Sequence, residues 1–261
     1  MARASAVRMP PEANAAHGCE GARRVLALLL TFSADDNTLT ARQLAERTGI
    51  ALPSVYRYIT LLRETGLLAG DERGSYRLSA RLIGLARAAE AAESIIDVAD
   101  PVMHGLAEQT GETVILVRLI GRSAVCVHRV QSAQQLRISF EAGQPLPLER
   151  GASARLLLAS LTPQVRREYL APLAERDSEA AALLEKKIVM AGQQGFATSE
   201  EEIHKGVWAA SAQVMQGKRM MAVLTVPSPL VRTDTEQRAQ LLSRVKSAAR
   251  EIGEGLRVAR R

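Results

Sequence analysis

Aromatic side chains are nearly missing from this chain: three Phe, four Tyr and one Trp among 261 residues. Recognition of single-stranded nucleic acid stacks bases on exposed rings, so that function class has little to build on here. Cysteine is as sparse. Cys19 falls near the start and Cys126 in an apolar run, which supplies neither a disulfide framework nor a zinc-ligand cluster and suits a reducing cytoplasm. The longest apolar run near the start, Val25 to Leu30, falls well short of the ~20 residues that span a bilayer. Residues 1–18 mix Ala, Pro and Arg without an apolar h-region. They read as a disordered leader and not as a signal peptide, with Arg3 and Arg8 as bystanders. A GxSxG elbow, a Walker A loop and a dinucleotide fingerprint are also absent, so the expectation is a protein that is not an enzyme and carries no cofactor.

What is present is ample apolar material, 47% of the residues, with a net charge of +6. The length allows two domains with cores of their own, and the basic surplus suits a polyanionic partner. The most organised stretch is Thr40 to Gly66. Leu44 and Ala45 make an apolar side on a first helix over 41–48. Gly49 stands where a left-handed cap would end it, and Pro53 stands in the first turn of a second helix. There Val55, Ile59 and Leu62 recur at i, i+4 and i+7 as one buried stripe, leaving Ser54, Tyr56, Arg57 and Thr60 outward. This is a helix-turn-helix with a second helix sized for a major groove. Leu67 to Gly70 and Ser75 to Leu78 follow as a hairpin across Asp71 to Gly74. A hairpin in that place is a wing, with Arg73 and Arg77 placed for phosphate. The residues expected to face double-stranded DNA are Thr40, Arg42, Ser54, Tyr56, Arg57, Thr60, Arg73 and Arg77.

Around that unit the chain reads in order. Glu20 to Phe32 is a helix with Val25, Leu26, Leu29 and Leu30 directed at the two helices, which closes a DNA-binding domain over 19–78. The alanine-rich stretch 79–94 is a linker helix, with Leu82, Leu85 and Ala89 on the side that would meet a second subunit. Residues 95–261 form one further domain. It has a helix over 101–109, strands over 113–120, 123–130 and 136–140, helices over 152–160, 163–170 and 179–194, strands over 206–215 and 219–226, and a closing helix over 233–258. In that last helix Leu241, Val245, Ala248, Ile252 and Leu256 are buried. The order fits an α+β domain, an antiparallel sheet with helices packed on it.

Little in this half suggests catalysis. Cys126 and His128 alternate on a strand and so share a face, but no third ligand or base accompanies them. His104 and His204 read as surface or capping residues, and Glu200-Glu201-Glu202 as a segment that shapes a loop. A helix opening at Gly151 offers unpaired amides and a positive dipole end, which suits a carboxylate.

Four stretches, LAERTGI…SVYRYITLLRETGLL, GQPLPLERGASARLLLA, GFATSEEEIHKGV and the strand ending TVPSP, together resemble the IclR family of bacterial transcriptional regulators. The resemblance runs from about residue 20 onward. It implies a winged helix-turn-helix, a linker helix and a GAF-like effector-binding domain. It also implies paired DNA half-sites, hence a homodimer or a dimer of dimers. It places the effector among Leu146, Gly151, Ala152, Ser153, Ser199, Val207, Ala209 and Thr225, with Trp208 turned to the other side of its strand. The chain departs from the family's usual pattern mainly there. Ser199 replaces an Asp, Ala209 a Cys, Arg155 a Lys, and Thr225 to Pro229 a Ser-x-Ser-Gly-Pro ending. The pocket should therefore favour a small, largely apolar carboxylic acid, aliphatic or aromatic. The alternative is a sensing or enzymatic α/β protein whose helix-turn-helix serves protein interaction.

Overall fold

The computed structural model describes residues 19–258 except 34–35, 72–73 and 92–93, without the side chains of 89–91 and 94. The expected leader over 1–18, Arg73 and the side chain of Ala89 lie outside the described residues. The chain divides into two units, 1–92 and 93–261.

The first unit contains α1 (Glu20–Leu29), β1 (Thr38–Thr40), α2 (Ala41–Thr48), α3 (Leu52–Glu64), β2 (Leu68–Gly70), β3 (Ser75–Leu78) and α4 (Arg81–Ala91). A capping box starts α2: the Gln43 amide donates to the Thr40 hydroxyl, and the Gln43 side chain accepts from the Thr40 amide. Gly49 ends it at φ 69, a conformation glycine adopts without steric cost. Val55, Tyr58, Ile59 and Leu62 of α3 pack with Leu28, Phe32, Leu39, Leu44, Ile50 and Leu68 in one core. The hairpin gains a third strand in the order β1-β3-β2. The expectation for α1 is corrected: Leu26 and Leu30 are 56% and 64% exposed, and Val25, Leu28, Leu29 and Phe32 pack instead. Those four stand at i, i+3, i+4 and i+7, the stripe of a helix, and Leu26 and Leu30 lie beside it.

The second unit contains α5 (Ser94–Thr110), β4 (Val114–Ile120), β5 (Ser123–Val130), β6 (Pro145–Leu146), α6 (Ala152–Ala159), α7 (Pro163–Arg176), α8 (Ser178–Gln194), β7 (Phe196–Glu200), β8 (Val207–Gln216), β9 (Arg219–Pro229) and α9 (Thr235–Val258). The strands form a six-stranded antiparallel sheet in the order β6-β5-β4-β9-β8-β7. Period-2 alternation divides each strand between two layers. Leu116, Ala210, Leu224 and Val226 face α5 and α9, while Ile115, Val117 and Val223 face α6 and α8. At Gly253 of α9 an added Cβ would stand 2.4 Å from the Met215 carbonyl oxygen, so α9 crosses β8 at backbone distance. Among the described residues no helix is long and apolar enough to cross a membrane.

Two expectations fail here. The helix drawn from Pro101 begins at Ser94; the buried run Ile95, Ala99, Met103 and Leu106 continues straight past the proline, and its burial outweighs the one lost hydrogen bond. Residues 136–140 are not a strand. The edge of β5 is taken by β6, and the Phe140 carbonyl accepts from the Arg129 guanidinium instead of joining a ladder. Conversely Phe196–Glu200, assigned to no element from the sequence, is the edge strand β7.

Candidate functional site

The strand β9 carries the centre of the second unit's site. Thr225 lies opposite Ile115 on one neighbour and Ser211 on the other, all on the α6 face. Its hydroxyl and that of Ser211 are 2.8 Å apart in a buried pair. Two and four residues before Ser211, Ala209 and Val207 of β8 present their side chains to the same space, and Trp208 between them is buried among the α9-side residues. The space is a cavity of about 30 Å³ lined by Ile115, Phe140, Leu146, Ala152, Ser153, Ser199, Glu202, Ile203, His204, Val207, Ala209, Thr225 and Pro227. Seven of the eight residues expected around an effector line it. Gly151, the eighth, stands behind Ile203 at the same wall.

Helix α6 closes one side. Gly151 precedes it at φ 97, ψ 159, and an added Cβ there would meet Ile203 Cδ1 at 2.7 Å. Both facts require glycine. Ala152 to Leu158 are all buried, so the start of the helix offers its amides to a dry surrounding. The reading of unpaired amides at this helix start needs correction at Gly151. Its N–H donates to the Glu202 carboxylate at 2.8 Å, and Glu202 also pairs with Arg155 at 3.1 Å. Arg155 is 7% exposed; its Nη2 donates to the Thr198 carbonyl at 2.5 Å, and its Nε has no partner. Among the described residues no side chain accepts from the amides of Ala152 and Ser153.

The turn between β7 and β8 covers the cavity. Glu201 sits at φ 54, where among the described residues no other non-glycine is found; the left-handed region costs such a residue roughly 1–2 kcal/mol. The turn is held by the Glu201 amide donating to the Val207 carbonyl, and by the Gly206 amide donating to Glu201 Oε1 at 2.7 Å. Glu200 pairs with Arg238 of α9 at 2.8 Å, and the Arg238 guanidinium lies 5.8 Å from the centre of the Trp208 ring. The glutamate triplet thus shapes the turn, as its placement just before Gly206 suggested. Sequence reasoning missed Glu202, Ile203 and His204 as lining residues, because it did not foresee that β7 folds the turn back over α6. Ile115, Phe140 and Pro227 were missed as well; apolar residues in strands and loops give no signal beyond ordinary burial.

Cys126 and His128 do not share a face. A β-bulge sets His128 opposite Leu116 and Cys126 opposite Val117, and the extra residue Val127 turns the two side chains to opposite layers. Cys126 packs in the α6 layer. Its thiol donates to the His128 carbonyl at 3.4 Å, and burial pushes it up to about 11. His128 instead meets Asp100 of α5 at 2.6 Å. Among the described residues no three His, Cys, Asp or Glu side chains converge on a metal position. A wider groove of about 900 Å³ between α8 and the β8–β9 hairpin includes none of the expected residues.

In the first unit α3 presents Tyr56, Arg57 and Thr60 to solvent, with Ser54 half-buried. Tyr56 is 52% exposed. The Thr60 hydroxyl donates to the Tyr56 carbonyl at 3.1 Å. Arg42 and Arg77 are exposed. Thr40 is placed differently from the others, since its hydroxyl is engaged in the cap of α2.

Comparison with known proteins covers both units. Residues 21–72 match the IclR helix-turn-helix domain, and residues 88–254 match the bacterial transcriptional regulator IclR C-terminal domain. The HTH-type transcriptional regulator KipR of Bacillus subtilis is 26% identical over 230 residues, 86% of this chain and 92% of its own length. The crystal structure of an IclR family transcriptional regulator from Brucella abortus superposes with a TM-score of 0.76 at 24% identity, over 93% of this chain and 97% of that one. An IclR homologue from Microbacterium hydrocarbonoxydans, solved in complex with 4-hydroxybenzoate, gives 0.73 at 22%, over 92% and 100%. The chain belongs to the IclR family of bacterial transcriptional regulators.

Proposed function

We propose that this DNA-binding regulator is controlled by a small, largely apolar carboxylic acid, aliphatic or aromatic, bound in the cavity beside α6. The observation that carries the reading is the convergence of Leu146, Ala152, Ser153, Ser199, Val207, Ala209 and Thr225 on one closed space. The Ala152 and Ser153 amides at a helix start supply attraction for an anion, Thr225 a hydroxyl, and Leu146, Phe140 and Val207 apolar walls. The relative solved with 4-hydroxybenzoate makes an aromatic acid a natural first probe. Its relatives are transcriptional regulators, not enzymes.

Operator contact is assigned to the exposed face of α3, with Tyr56, Arg57 and Thr60 toward base edges and Ser54, Arg42, Arg73 and Arg77 toward phosphate. The protein works as a homodimer or a dimer of dimers in the cytoplasm. Ile83 and Leu85 of α4, 58% and 55% exposed, support pairing between copies. A panel of aliphatic and aromatic acids is expected to raise the melting temperature, since a ligand at a hundredfold excess over its Kd stabilises the native state by about 2.7 kcal/mol. The same acids should change the gel shift on operator DNA. Val207→Asp is expected to abolish both responses and to leave basal DNA binding in place, because it puts a like charge beside the carboxylate. If no acid moves either readout in the native protein, the second unit has another role.

A further inference from the structure

A cavity of about 30 Å³ has room for about one water, and pockets that enclose small molecules run to several hundred. Accepting the proposed acid as its ligand therefore requires a wall to move. The walls from β4, β8 and β9 are laddered strands in the middle of the sheet, and α6 is buried along most of its length. The remaining walls are Phe140, Leu146 and Ser199, and the turn from Glu201 to Gly206, which carries the carboxylate bonded to the start of α6. Glu201 in it is at positive φ, Ile203 rests on the Cα of Gly151, and Glu202 is bonded to the Gly151 amide and to Arg155.

We infer that Glu202 is an internal stand-in for the effector's carboxylate, and that an incoming acid displaces it from the start of α6, releasing the turn. The inference rests on the acid-binding reading of this cavity. Glu202 already holds what an acid would seek, a helix-start amide and a buried guanidinium, and two carboxylates cannot share that place without one being driven off or neutralised. Arg155 is fitted to remain when Glu202 leaves. The Thr198 carbonyl on β7 holds its Nη2, and its Nε has no acceptor, so Glu202 does not saturate it. Moving the turn also relieves Glu201 of its backbone conformation and lifts Ile203 off Gly151, which opens volume in the same motion. Glu202 then sets specificity in two ways. It selects acids over their neutral amides, because only a second anion competes for its donors, and it lowers the affinity of every acid by the free energy of its own displacement.

The test uses the full chain, as wild type and as Glu202→Gln, titrated by calorimetry with benzoate and hexanoate and with benzamide and hexanamide. Deuterium uptake over the 200–207 peptide is measured in the wild type. The expected result is at least tenfold tighter acid binding by Glu202→Gln, less than a threefold change for the amides, and faster exchange of the wild-type turn once an acid is bound. Equal acid affinity in the two proteins, or a turn that exchanges more slowly with acid bound, overturns the displacement and leaves the pocket reading standing. Absence of acid binding by both proteins at millimolar concentration overturns both. Should Glu202→Gln fail to fold, wild-type exchange decides together with Ile203→Ala, which frees the turn without touching charge. Ile203→Ala is expected to gain affinity for acids and amides alike, and a gain confined to one class would overturn the assignment of the charge effect to Glu202.

Discussion

Arg57 is the side chain on which sequence-specific binding should turn. It projects from α3 beside Tyr56, on the face opposite the buried Val55 and Ile59. A bidentate Arg contact to guanine discriminates by about 1–3 kcal/mol. Arg57→Ala is therefore expected to abolish the preference for operator over competitor DNA with the melting temperature unchanged. Retention of that preference in a competition gel shift would remove Arg57 from the recognition surface. Cys126 makes the opposite kind of prediction. Burial raises its pKa to about 11, well above neutral pH, so the thiol stays protonated and enclosed. In the native protein at pH 7.5, an order-of-magnitude excess of iodoacetamide is expected to label the exposed Cys19 and spare Cys126, as peptide mass mapping would reveal; thiolate is the reacting form. Modification of both at similar rates would mean that the α6 layer opens far more readily than its packing implies.

At the scale of elements, local chemistry decided what could be read in advance. Helix α2 was legible because the αL turn at Gly49 ends it, while the box of Thr40 and Gln43 that starts it went unread. Thr40 was given a DNA contact, and in the structure its hydroxyl is engaged in the cap. Thr40→Ala should cost about 0.5–2 kcal/mol, visible as a lower melting temperature in calorimetry. A loss of operator affinity without that thermal change would restore the DNA role. Strands with long range partners were harder. Phe196–Glu200 earns its place only by pairing with β8 across the chain, and its own composition, with Ser199 and Glu200, argues against a strand. Residues 136–140 have the β-branched and aromatic content of a strand but no free edge to join. The bulge at Val127 has no local signature at all, and it alone decides that the thiol and the imidazole part company. The cavity followed the same division. Its strand and helix-start residues were expected from the family resemblance and the helix opening at Gly151, while the turn that lies over it depended on how β7 folds back.

For the whole molecule, the second unit is a sheet with helices on both faces, and the first is a small helical core with a three-stranded sheet. One winged unit makes few base contacts, so selective binding calls for two. Light scattering at micromolar concentration is expected to give at least twice the mass of the 28.2 kDa chain, and a monomer would count against the pairing assigned to α4. The chain's single tryptophan adds something of practical use. Trp208 lies between the cavity residues Val207 and Ala209 but on the other face of the sheet, with the Arg238 guanidinium 5.8 Å from its ring and Glu200, at the foot of the turn, holding that guanidinium at 2.8 Å. The molecule thus carries its own fluorophore one residue from the cavity yet shielded from any ligand in it. Emission excited at the indole has a single origin, and a displacement of the turn that covers the cavity is expected to register in it through Glu200 and Arg238.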